Sequence, residues 1–202
     1  MKKISNTLKL SVLLAASVFI LANCNTSPKE EGGDATDTTL VTETTASATD
    51  QQKLTDPEIA SIAVTANQID IDYARIALEK SSNADVKKFA TTMAKDHQAV
   101  IDQAIALATK LGVTPQDNAT TQSLVKGAAD IKAVFDTKSG ADFDKAYVDN
   151  EVEYHKAAIS LVESKLIADA TNAELKSLLQ SALPIFKGHL EHAEMVQKGL
   201  AK

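Results

Sequence analysis

From Asp56 onward the apolar side chains return every three or four residues, the repeat of helices that turn one face to a core. Ile59, Ile62, Ala66, Ile69, Tyr73 and Ile76 form the first stripe, behind Asp56-Pro57, which reads as a cap followed by a first-turn proline. The segment SSNAD interrupts it. A second stripe, containing Val86, Phe89, Met93, Val100, Ile101, Ala104, Leu107 and Leu111, predicts a helix from about residue 86 to 111, closed by Gly112 with Pro115 beyond. TTQSLVKGAADIKAVFDTKSG reads as a short crossover helix with a loose end. A third long helix is expected over roughly residues 142 to 168 and a fourth over roughly 172 to 200, which Pro184 should kink or divide. Two long hairpins joined by a crossover make an all-α, antiparallel four-helix bundle.

Composition agrees with helix rather than sheet: among 202 residues there is no tryptophan, with seven glycines and four prolines. Ahead of the periodic region the chain changes character. MKKISNTLKLSVLLAASVFILANC has a basic start, an apolar run from Leu10 to Ala22 and the single cysteine, Cys24, the layout of a bacterial secretory signal. LANC resembles the lipobox of bacterial lipoproteins, with Asn23 where a smaller residue is usual, which implies a signal peptide over 1–23 and lipidation of Cys24. Residues 24–55, rich in Thr, Ser, Ala, Asp and Glu, bury too little apolar surface to fold and read as a disordered tether, leaving 56–202 as the folded domain. The expected location is the bacterial outer membrane, held by the lipid, on either leaflet. Cleavage before Cys24 leaves 18 basic and 27 acidic side chains, a net charge of about −9, with Arg75 the one arginine. Such a surface suits neither a phosphate backbone nor any nucleic acid.

Three stretches carry a resemblance. DIDYARIALEKSSNADVKKFATTMAKDH, SGADFDKAYVDNEVEYH and LPIFKGHLEHAE are similar to the signature blocks of the bacterial family DUF4142, outer-membrane proteins grouped with ferritin-like folds. The resemblance spans about residues 54 to 200 and implies a ferritin-like bundle and an envelope location, not an activity. Relatives commonly carry glutamates in the first block where this chain has Asp70 and Asp72; His189 matches the family histidine of the last block, and His192 is an addition.

All four histidines fall on apolar helix faces. His97 lies near the centre of the second stripe, Glu151 and His155 in the middle of a wide arc on the third helix, and His189 and His192 with Leu175, Leu179 and Phe186 on the fourth. At about 1.5 Å of rise per residue, Asp70 and His97 stand roughly 18 and 21 Å from the first turn, while Glu151, His155, His189 and His192 stand roughly 22 to 32 Å from the turn near Ala170. Each hairpin is thus expected to hold its own layer. Asp70, His97, Glu151, His155, His189 and His192 are the candidate ligands of a transition metal, zinc, iron or copper, since imidazole with carboxylate favours these over magnesium or calcium. Ala94 and Phe186 stand where a di-iron Glu-x-x-His pattern would need glutamate, which favours a mononuclear or transport site over oxygen activation. A competing reading is a non-catalytic structural or interaction lipoprotein, its histidines satisfied in a buried polar network and its acidic surface meeting a protein or the cell wall. Hydrolytic chemistry has no support, for the sequence holds no glycine-framed serine and its one cysteine belongs to the anchor.

Overall fold

The structure, a computed structural model, describes residues 53–201; the signal, Cys24 and nearly all of the tether lie outside them. The described residues form five helices: α1 (Asp56–Lys80), α2 (Ala84–Leu111), α3 (Ala119–Asp136), α4 (Gly140–Leu161) and α5 (Ala173–Leu200). Four of the five starts are explained by their caps; α4, which follows Ser139, has no side-chain cap bond. Thr55 and Glu58 make a reciprocal capping box on α1, and the side chains of Asn83, Asn118 and Asn172 accept backbone N–H groups at the starts of α2, α3 and α5. Gly112 ends α2 at φ 63°, the left-handed conformation that glycine adopts without a Cβ clash.

α1 and α2 form one hairpin, α4 and α5 the other; α2 packs on α5 and α1 on α4. α3 is longer than a short crossover, 18 residues, and runs the length of α1. It is fixed near the start of α1, where Asn118 Nδ2 donates to the Glu58 carbonyl, and near its end, where Lys80 Nζ donates to the Phe135 carbonyl. That traverse starts α4 beside the end of α1, so the two hairpin turns lie at opposite ends of the bundle. The second turn meets the start of α1, where Thr171 and Asn172 donate backbone N–H groups to Asp56 and the Leu54 N–H donates to Asp169. No helix among the described residues is long and apolar enough to cross a membrane.

Two details depart from the sequence expectation. α4 does not run on as α-helix to 168: a π turn, Val162–Leu166, intervenes before the short piece Ile167–Asp169. Pro184 does not divide α5, which is continuous from Ala173 to Leu200. Pro184 and Gln180, whose carbonyl loses its helical partner, are both exposed, so water can take the place of the missing N–H.

The core divides in two along the bundle. One apolar cluster gathers Tyr73, Phe89, Phe135, Phe143 and Tyr147, the other Ile59, Ile62, Leu175, Leu179 and Phe186. On all four long helices the positions between these clusters are polar.

Candidate metal centre

That polar layer consists of Asp70 from α1, His97 from α2, Glu151 and His155 from α4, and His189 from α5, all buried. The expectation of two separate layers is corrected here. Because the hairpin turns lie at opposite ends, depths measured from each turn run in opposite directions, and the two sets of residues meet at one level. One ring nitrogen from each of His97, His155 and His189 lies within 4.8 Å of the others, and ligand atoms of Asp70, Glu151 and His155 are equally close. His192 is not among them. It is half-buried, one turn beyond the layer, and sets its ring edge-on against Phe89 at 5.1 Å.

The hydrogen bonds fix the tautomer of each ring. Asn67 Nδ2 donates to the Ala63 carbonyl at 2.7 Å, which turns its Oδ1 toward His97; that oxygen accepts from His97 Nδ1 at 2.7 Å. His155 Nδ1 donates to the Glu151 carbonyl at 2.9 Å, and His189 Nε2 to Asp96 Oδ2 at 3.1 Å. The acceptors are all oxygens, so these three nitrogens carry the protons. The remaining ones, His97 Nε2, His155 Nε2 and His189 Nδ1, present lone pairs, and among the described residues none has a hydrogen-bond partner. Neither carboxylate oxygen of Asp70 or of Glu151 has one either. Asp70 Oδ2 stands 3.3 Å from His97 Nε2 and 3.6 Å from His155 Nε2, without hydrogen-bond alignment.

Burial sets the charges. It lowers His97 well below the ordinary value, with the neighbouring His155 and His189 adding to the effect, and holds His155 at about 4. His189 is lowered too, although its bond to Asp96 opposes burial. The rings are therefore neutral near pH 7, the form that coordinates metal. Burial lifts Asp70 to about 8 and Glu151 well above the usual carboxylate range, the latter raised further by Asp70. Tyr73, Tyr147 and Tyr154 around this layer are pushed up by burial and by the same carboxylates, and stay protonated.

Asn67 and Asp96 were not singled out as functional by the sequence pattern. Asn67 gave one signal, its place three residues before Asp70 on the same helix face.

The family described as a domain of unknown function, DUF4142, matches residues 41–196. The chain belongs to the DUF4142 family. No curated protein matches it. Among solved structures, this DUF4142 chain is similar to "CopM in the Cu(II)-bound form", with a TM-score of 0.55 at 16% identity, over 72% of this chain and 98% of that one. At that identity the likeness shows a shared helical-bundle fold.

Proposed function

We propose that this DUF4142 protein is an envelope lipoprotein that binds one first-row divalent metal ion in the middle of its bundle, through His97 Nε2, His155 Nε2, His189 Nδ1 and Asp70, with Glu151 beside them. The observation that carries the reading is the approach of three buried imidazoles, one ring nitrogen of each within 4.8 Å of the others, each ring having one nitrogen tied to an oxygen acceptor and the other unpartnered. Outward N–H bonds of this kind are the second shell by which metal-ligating histidines are oriented. A polar network without metal accounts for one nitrogen of each ring and leaves the other, like the oxygens of Asp70 and Glu151, without a hydrogen bond. A divalent cation would take up the three ring lone pairs and an oxygen of Asp70, and would offset the charge that Asp70 and Glu151 carry once ionised. The donor set fits zinc, copper, iron or nickel, and the Irving–Williams order makes Cu(II) the tightest in vitro. That CopM is solved with Cu(II) bound lends the reading some support from a shared fold.

Titration of the metal-free full chain with Cu(II), followed by desalting and elemental analysis, should retain one ion per chain. Asn67→Ala and Asp96→Ala, which leave every ligand in place, should each weaken binding about 10- to 100-fold, the usual cost of losing an outer-shell partner. Retention of no ion by the wild type would remove the proposal.

Anchoring through Cys24 completes it. A fatty-acid analogue fed to cells should label the wild type and not Cys24→Ser; equal labelling of the two, or labelling of neither, would remove the anchor.

A further inference from the structure

Next to the polar layer, toward the end where α1 starts and α2 finishes, lies a cavity of about 70 Å³. Its walls are aliphatic. Alanines take inward positions on all four long helices, Ala63 and Ala66 on α1, Ala104 on α2, Ala158 on α4 and Ala182 on α5, where a bundle core is ordinarily filled by larger side chains. Val162 and Leu166, the two ends of the π turn, also face it, and π turns of this length recur at functional sites. The polar end is formed by Asn67, His97 and His155. His97 and His155 are 4% and 1% exposed, and their Nε2 atoms are unpartnered.

We propose that this cavity binds a small uncharged molecule of the size and polarity of a diatomic gas, and holds it against the imidazoles of His97 and His155. Away from that polar end the aliphatic walls give no partners to water, which needs two to four, or to an ion, which would have to shed its hydration. An engineered apolar cavity of roughly 150 Å³ accepts benzene or xenon, so the smaller space here selects a smaller guest. Occupancy of the cavity stands without a metal; delivery of the guest to an open coordination position rests on the metal reading.

Xenon is the probe. The metal-free full chain, labelled with ¹⁵N-histidine, is held under increasing xenon pressure and followed by ¹²⁹Xe and imidazole ¹⁵N resonances. The ¹²⁹Xe shift should saturate, and the His97 and His155 signals should move with it while those of His192 stay fixed. Ala104→Phe fills the space and touches no proposed ligand, so both responses should disappear. Should that variant not fold, the smaller Ala158→Val should reduce the xenon response at least twofold. A ¹²⁹Xe shift that rises linearly and alike in wild type and filled variants overturns the inference. Zinc stoichiometry on the same samples separates the two readings: xenon uptake without zinc uptake keeps the cavity site and removes the metal centre, and zinc without xenon does the reverse.

Discussion

His97→Ala should abolish the stabilisation of this protein by metal. For the wild type, an ion at about 100 times its dissociation constant adds about 2.7 kcal/mol to folding. In a domain of this size that raises the melting temperature by roughly 5 to 10 °C. The variant should gain almost nothing, since only two imidazoles remain and their lone pairs no longer close around one point. Without metal it should already be weaker by about 1 to 3 kcal/mol, because Asn67 Oδ1 loses its buried donor. The two effects are separable by melting wild type and variant with chelator and with Cu(II) or zinc. A structural histidine would give the second effect alone, identical with and without metal. Equal metal shifts in both proteins would show that His97 is not a ligand, and no shift in either would leave the layer as a polar network.

How much of this was legible follows from which signals are local. The helices were, because the apolar period repeats within a few residues, although the cap of α1 is Thr55, paired with Glu58, and Asp56, expected to cap it, is its first residue. The inward direction of His97, Glu151, His155 and His189 was legible for the same reason. Their common depth was not. It depends on α3 carrying the chain the whole length of α1, and the composition of that segment suggested something shorter. The π turn was not legible: the apolar arc read on the third helix, from Phe143 and Tyr147 round to Ile159, lies ahead of it, and only Leu166 falls within it. Asn67 and Asp96 are polar residues in mid-helix, and only partners 30 and 93 residues away in sequence give them a role. His192 lay on the right face but one turn too far along it.

Without metal, the stability of the protein should fall as pH rises from about 6.5 to 8. Two opposing sets of protons decide this. The imidazoles are lowered in the folded state, so between about 4 and 6.5 the unfolded chain takes up protons that the folded one refuses, and stability falls as pH falls through that window. The carboxyls are raised, Asp70 to about 8. From about pH 4 upward the unfolded chain has already lost protons that the folded one keeps, and stability falls as pH rises, by about 1.4 kcal/mol per pH unit for each carboxyl. Below about pH 6 the imidazoles oppose the carboxyls and offset their slope. Above 6.5 the unfolded imidazoles give up their remaining protons, the carboxyls come to act alone, and the decline continues until Asp70 ionises near pH 8. Tyr73, Tyr147 and Tyr154 are raised and remain protonated throughout. The double variant Asp70→Asn/Glu151→Gln removes both carboxyls, so its stability should level off above pH 6.5 and exceed that of the wild type at pH 8. Denaturant unfolding from pH 5 to 9 in the presence of chelator checks both curves. Stability that is flat or rising between pH 6.5 and 8 in the metal-free wild type would mean that Asp70 and Glu151 are not held protonated. The same protons set the pH range for metal: the rings are already neutral at pH 7, so it is Asp70 that must give up its proton when the ion arrives, and affinity should strengthen toward pH 8 rather than level off at the ordinary imidazole pKa.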